Sequence, residues 1–228
     1  MSRRALVLGA TGLVGGRAVA HLVDSPAYER VTCLVRRATL ATSDVLRERV
    51  VDFAKLTADD VEPADDLYCA IGSTMKKAGS REAFRRVDLE LPLRVAELAV
   101  AAGVKRIALV SSVGASAEAK SFYLRTKGEL EDALAALPLT ALHVMRPSLL
   151  LGDREESRPG EAIATVLARA ANGLLVGGLR RWRAIDVDDV GRAMVAATTG
   201  PDPDPPRRIH EHDAIVALSR ALPPPRAV

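Results

Sequence analysis

Tyr123 and Lys127 stand four residues apart in Tyr-Leu-Arg-Thr-Lys. In a helix that spacing puts both side chains on one face. A phenol with an ordinary pKa of about 10 exchanges protons poorly near neutrality. An ammonium group beside it favours the phenolate and lowers that value. Ser112 ends an apolar run, and its hydroxyl can hold a carbonyl or alcohol oxygen. The three side chains together suit proton exchange at a substrate oxygen. A plainer reading makes Tyr123 a core-edge ring and Lys127 a solvated helix lysine. Ser111 is expected to turn inward or to meet backbone. Asp88 reads as a helix N-cap, with its part in any proton relay left open.

A second constellation lies near the start, in Gly9-Ala-Thr11-Gly12-Leu13-Val14-Gly15. Three glycines at intervals of three follow a short apolar run and open an amphipathic stretch. The first permits a tight strand-to-helix reversal, the second a close approach of pyrophosphate to backbone, and the third helix packing on a sheet. The helix N-terminus offers N–H groups and positive dipole to phosphates. About twenty residues on, NAD-selective sites carry a carboxylate for the ribose 2′-hydroxyl. Arg36 and Arg37 occupy that place, and a guanidinium fork suits a 2′-phosphate. The expected cofactor is therefore NADP(H), with NAD(H) as the lesser option. Asp52 and Phe53, read as closing the third strand, are placed to border an adenine.

These groups need a scaffold. Strands are expected at 5–9, 31–36, 49–53, 66–72, 106–112 and 140–146. Helices are expected at 12–23, over 80–102 as two helices or one bent one, and at 121–137. Pro92 falls near a first turn, where a missing N–H costs little, and Gly103 is a C-cap. Beyond these come a polar loop at 151–160, a helix at 161–171, a short strand at 184–187 and a helix at 189–199 capped by Asp188 or Asp189. A proline-rich linker at 200–206 and a last helix from about 212 to 222 follow. Alternating apolar strands and helices predict an α/β, doubly wound, mostly parallel sheet of the NAD(P)-binding Rossmann-like type, with a small C-terminal substrate-side segment. One domain is expected over 1–222, with 148–183 as substrate wall or lid and a frayed tail at 223–228.

The glycine loop, Ser111-Ser112 and Tyr123-x-x-x-Lys127 together resemble the short-chain dehydrogenase/reductase (SDR) superfamily. Cys69-Ala-Ile-Gly72-Ser-Thr, Tyr-Leu-Arg-Thr-Lys-Gly-Glu and the segment Arg146-Pro-Ser-Leu-Leu-Leu-Gly-Asp-Arg-Glu-Glu-Ser-Arg-Pro-Gly-Glu161 resemble more narrowly its atypical, Tat-interacting oxidoreductase-like branch. The resemblance implies that Tyr123 transfers the proton and that Lys127 also binds the nicotinamide ribose. It adds Ala70, Ile71, Gly72, Pro147 and Ser148 to the cofactor site. It implies hydride transfer between nicotinamide and a carbonyl or alcohol substrate. A regulatory NADP(H) sensor acting through protein partners is the alternative, and a nucleotide-sugar epimerase or dehydratase a third reading.

Composition narrows the field. The chain has 228 residues, 48% hydrophobic and 27% charged, which excludes disorder over most of its length. No apolar run approaches a membrane span. Aromatics are 3% and net charge is +3, a poor fit to a nucleic-acid surface. Cys33 and Cys69 are expected to stay reduced on strands flanking the first one. With no recognisable export signal, a cytoplasmic protein is expected. His210 and His212 beside Glu211 lack a supporting ligand cluster, so no metal is expected. Monomer and homodimer both remain open, as does a protein partner. Arg154, Arg158, Arg180, Arg181 and Arg183 suggest an acidic substrate, and the 149–151 and 174–176 stretches an apolar one.

Overall fold

The computed structural model describes residues 2–152, 172–173 and 175–222. Strands β1 (Arg3–Leu8), β2 (Tyr28–Val35), β3 (Leu46–Val50), β4 (Asp66–Cys69), β5 (Arg106–Val110) and β6 (Ala141–Met145) are joined by a late strand, Arg207–His210, here β9. They form one seven-stranded sheet in the order β3-β2-β1-β4-β5-β6-β9. Every pairing is parallel. A second pair, β7 (Leu150–Leu151) and β8 (Ile185–Asp186), lies apart from it.

The sheet is buried on both faces, as continuous apolar strands require. Ala5 and Val7 point to one face and pack with Val14, Ala18 and Leu22 of α1 (Leu13–Asp24). Val190, Ala193 and Met194 of α6 (Val187–Thr199) complete that layer, with Ile215 of α7 (His212–Ala221). Leu6 and Leu8 point the other way, onto Val95, Ala96 and Ala99 of α4 (Leu91–Ala101) and Leu130 and Leu134 of α5 (Phe122–Ala135). The two-residue period of β1 thus feeds two separate cores. Cys33 and Cys69 sit opposite Val7 and Leu8 on the strands either side of β1 and are free thiols.

The stretch from 80 onward is one bent helix. A four-residue α2 (Met75–Ala78) precedes it; α3 (Arg81–Arg85) then passes into a π turn, Arg86–Glu90, and on into α4. Pro92 has no N–H to give the carbonyl four residues back. The chain widens by one residue instead, and the Leu91 N–H reaches the Arg86 carbonyl. Asp88 lies inside that turn and is fully buried, so it is no N-cap.

Other boundaries also move. β3 ends at Val50, because its half-polar sequence pairs only with β2 at the sheet edge. Asp52 and Phe53 therefore follow the strand, with Asp52 accepting the Ala54 N–H in a turn at 3.0 Å. α6 is capped by Asp186, whose Oδ1 accepts the Asp188 N–H at 2.9 Å. Asp188 and Asp189 instead meet His21 and Ser219. The helix expected at 161–171, Arg154, Arg158 and the tail at 223–228 lie outside the described residues.

Candidate active site

Parallel strands deliver their C-terminal ends to one edge, and ligands of such sheets bind where the strand order reverses. Here that point lies between β1 and β4. Gly9 takes φ +94°, and a Cβ there would lie 2.6 Å from the Ala70 carbonyl carbon. A Cβ on Gly15 would lie 2.0 Å from the Gly9 oxygen, so α1 approaches its own loop closely. Gly12 gives its N–H to Gly9 O at 2.9 Å and caps α1 with no side-chain bond. The first turn of α1 carries no acidic residue. Its N–H groups point to the sheet's C-terminal edge without a side-chain acceptor, the arrangement an anion completes. Thr11 and Gly12 are exposed, Leu13 is half-buried, and Val14 and Gly15 are buried. The loop therefore fits the pyrophosphate of a dinucleotide.

The flanking positions line up along that edge. Arg36 and Arg37 follow β2 directly and are exposed, and among the described residues neither has an ion-pair partner. Asp52 is exposed and Phe53 half-buried beyond β3. Ala70 and Ile71 are half-buried and Gly72 exposed beyond β4. Ser112 lies two residues past β5, half-buried, with its Oγ 3.5 Å from the Val113 carbonyl. Pro147 follows β6 and accepts the Val113 N–H at 3.0 Å. Ser148 gives its Oγ–H to the Trp182 carbonyl at 3.0 Å.

Helix α5 supplies the other side. Gly128 lets its backbone press against the loop after β5, since a Cβ there would lie 2.2 Å from the Ser116 carbonyl carbon. Lys127 is buried, and its Nζ lies 2.8 Å from Asp88 Oδ1. Asp88 Oδ2 accepts the Ser73 N–H at 2.9 Å. A methyl built on Gly72 would lie 3.4 Å from both Lys127 Nζ and Asp88 Oδ1, so the ion pair sits directly beneath that exposed backbone. Burial pushes the neighbouring Cys69 thiol up to about 11, against a lowering pull from Lys127. Tyr123 is half-buried, its ring 5.7 Å from that of buried Phe84.

Three groups were not legible as functional from the sequence. Glu131, one turn beyond Lys127, is fully buried and accepts Ser111 Oγ at 2.5 Å. It also takes Arg146 through two bonds, at 3.0 and 2.5 Å, and Arg207 at 2.8 Å. Ser111 thus turns inward, onto a side chain. Phe84 backs Tyr123, and its only sequence signal was an aromatic within a helical stripe. Gly128 follows Lys127 directly, a position where helix propensity alone disfavours glycine. His210 stacks on His143 in the sheet, ring centroids 5.4 Å apart, and His212 meets Asp213. Among the described residues, no group of three or more His, Cys, Asp or Glu is placed to hold a metal ion.

This sheet, loop and helix pair define a nicotinamide-dinucleotide-binding protein of the SDR type. The chain belongs to the NAD-dependent epimerase/dehydratase family, whose model matches residues 5–210. It is 36% identical over 207 residues to Protein HTATIP2 of Rattus norvegicus, covering 88% of this chain and 83% of that one. That likeness bears out the atypical branch. It is 35% identical over 201 residues to Protein FMP52, mitochondrial, of Candida albicans, covering 83% and 85%. Among solved structures, MoeE5 in complex with UDP-glucose and NAD superposes with a TM-score of 0.66 at 22% identity, covering 96% and 81%. The human epimerase family protein SDR39U1 with NADPH gives 0.58 at 18%, covering 86% and 70%. The cytoplasmic expectation does not stand, because several FMP52 relatives are named as mitochondrial proteins. Among the described residues no helix is long and apolar enough to cross a membrane.

Proposed function

We propose that the chain is an NADP(H)-dependent oxidoreductase that reduces or forms a carbonyl group, with Tyr123 as proton donor and acceptor. The observation that carries this reading is the buried Lys127 ammonium, held beneath Gly72 one helical turn from Tyr123. The loop 9–15 would hold the pyrophosphate, Arg36 and Arg37 the 2′-phosphate, and Asp52 and Phe53 the adenine side. Ala70, Ile71, Gly72, Pro147 and Ser148 would border the nicotinamide half, with Lys127 on its ribose. The nicotinamide supplies hydride exchange, and the protein orients it. Ser112 would hold the substrate oxygen while the Tyr123 hydroxyl gives or takes its proton. Residues 1–222 would act as one functional unit, with 148–183 as its substrate wall.

Among the described residues of that wall, the three arginines are engaged within the protein. Arg180 meets Asp213 at 3.3 Å, Arg183 gives its Nε–H to Leu175 O at 2.9 Å, and Arg181 lies over Trp182. Above Gly114 the nearest side chains are Leu124 and Trp182. An apolar or aromatic carbonyl compound therefore suits the described part of the wall better than an acidic one.

A carbonyl-compound screen followed by NADPH absorbance tests the proposal. Tyr123→Phe removes one hydroxyl, so turnover of any hit should fall on the order of a hundredfold or more, with NADPH affinity nearly unchanged. Full activity in Tyr123→Phe would refute the mechanism. The family match favours one second reading, a nucleotide-sugar epimerase or dehydratase, which conversion of a UDP-sugar without net NADPH consumption would reveal.

A further inference from the structure

We infer that Trp182 is a specificity-determining residue of this site: its indole is the surface against which the aromatic ring of a carbonyl substrate lies. The inference rests on the oxidoreductase reading above and names its substrate class.

The indole is placed by the loops of the site. Its Cη2 lies 3.7 Å from where a Cβ on Gly114 would stand, and Leu124 Cδ1 lies 3.5 Å from the same point. Gly114 is two residues past Ser112, and Leu124 follows Tyr123 in α5. The loop that carries Ser112 and the helix that carries Tyr123 thus meet Trp182 at one spot. The backbone beneath the indole is pinned. The Trp182 carbonyl accepts the Ser148 Oγ–H at 3.0 Å. Two residues on, the Asn172 amide bonds both the N–H and the carbonyl of Ala184 at 2.8 Å. The Ile185 N–H reaches the Leu149 carbonyl at 2.9 Å. Although its backbone is held so firmly, Trp182 is 43% exposed. Its position is set before a ligand arrives, so little ordering is left to oppose binding.

The chemistry selects an aromatic occupant. The chain has one tryptophan, three tyrosines and three phenylalanines. Phe84, Phe122 and Tyr123 cluster at the start of α5, with ring centroids 6.0 and 5.7 Å from Phe84, and Trp182 stands beside the next residue. In a chain so poor in aromatics, that grouping is no effect of composition. Phe84 is buried, and Phe122 lies under Arg81 and Arg125. Trp182 is the broad ring of the group that remains accessible. Rings meet in offset or edge-to-face arrangements that add to the gain from burial. A saturated ring of the same size has only the burial.

Trp182 is the only tryptophan, so tryptophan emission reports on it alone. Acetophenone and cyclohexyl methyl ketone are matched probes, alike in carbonyl and ring size and different in aromaticity. With NADP+ present no hydride is available, and binding is read without turnover. Acetophenone should quench the emission to saturation. In ligand-observed NMR it should bind the parent up to about tenfold more tightly than its saturated twin, and Trp182→Ala should remove most of that preference. Trp182→Phe keeps a ring and should keep much of it. Trp182→Leu, apolar without a ring, carries the same prediction as Trp182→Ala if the latter does not fold. Where the ketones are reduced, the loss should fall on KM more than on kcat.

Quenching that rises linearly with acetophenone, as collision with a surface indole gives, overturns the inference. So does a parent that binds both ketones equally, a preference that survives in Trp182→Ala or Trp182→Leu, or loss of folding in both variants. Quenching by UDP-glucose and not by acetophenone overturns it as well. Saturable, Trp182-dependent binding of acetophenone by a protein that reduces no carbonyl compound supports this surface and refutes only the oxidoreductase chemistry.

Discussion

Glu131 is the side chain whose loss should be felt most. It has no exposure, and three donors converge on it: Ser111 from the end of β5, Arg146 from the end of β6 and Arg207 from β9. Glu131→Ala would leave Arg146, whose side chain is 15% exposed, facing a vacated carboxylate site. Ser111 would lose its acceptor inside the protein. Removing one partner of a buried pair costs about 3–5 kcal/mol, mostly from the uncompensated charge left behind. Arg207 is 31% exposed and keeps Asp132 at 2.7 Å, so its share is screened and small. We therefore expect about 3 kcal/mol. For a chain of this size each kcal/mol moves Tm by about 2–4 °C, which gives a fall of roughly 6–12 °C. Thermal unfolding followed by circular dichroism, with urea unfolding as a check, reads this out. Asp132→Ala, one residue on and 56% exposed at the side chain, should cost under about 1 kcal/mol. If Glu131→Ala matched the parent within about 1 kcal/mol, or Asp132→Ala cost as much, the carboxylate would not be tying the three strand ends to α5.

NADPH should bind at least about tenfold more tightly than NADH, about 1.4 kcal/mol, and in Arg36→Ala the ratio should fall toward one; equal parent affinities in a titration of both would remove Arg36 from the site. Gly12→Val puts a branched side chain 3.2 Å from Gly9 O at the exposed loop, so cofactor binding should collapse while the circular dichroism spectrum stays. Gly15→Ala, with its methyl 2.0 Å from Gly9 O, should lower Tm as well. Burial holds His143 and His210 down at about 4, below the ordinary 6.5. The unfolded chain then takes up protons that the folded one refuses, so their contribution is full above about 6.5 and drains away toward 4. Asp66, pushed up to about 6 by burial, acts with the opposite sign, contributing fully below 3.8 and losing that contribution as pH rises through 6. Two histidines outweigh one carboxyl, so urea midpoints should fall between about pH 7 and about pH 5, and less so in His143→Phe.

The sheet was readable because β1, β2 and β4 to β6 are short, apolar and bounded by turns, and buried parallel strands leave that trace. The glycine loop was readable because each glycine answers a separate steric demand. β3 was misplaced because its Leu-Arg-Glu-Arg-Val sequence pairs on one side only and carries the mixed polarity of an edge. Asp88 was misread for a different reason. A π turn has no sequence period of its own, and only the absence of an N–H at Pro92 hints that the helix must widen there. Glu131 was invisible among many acidic residues, because nothing local says which carboxylate two distant arginines will choose. Composition worked against the reading too: in so arginine-rich a chain, Arg146 and Arg207 look no different from Arg36.

The two ends of the sheet divide the work. At the N-terminal end, polar groups are turned inward and spent on each other. Arg3 reaches Asp66 and the Thr198 carbonyl, Tyr28 meets Asp66 and Tyr68, and Tyr68 meets Thr198 of α6. That network fixes α6 to the start of β1 and β4 and leaves nothing for a ligand. At the C-terminal end the same chain does the reverse. It leaves the first turn of α1 without a side-chain cap, keeps glycine where a methyl would collide, and holds Arg36 and Arg37 unpaired among the described residues. An uncapped helix end and unpaired guanidinium groups do nothing for the stability of the empty fold. Their retention on one edge, opposite an end where polar groups are satisfied within the protein, is what an anionic dinucleotide spanning that edge would require.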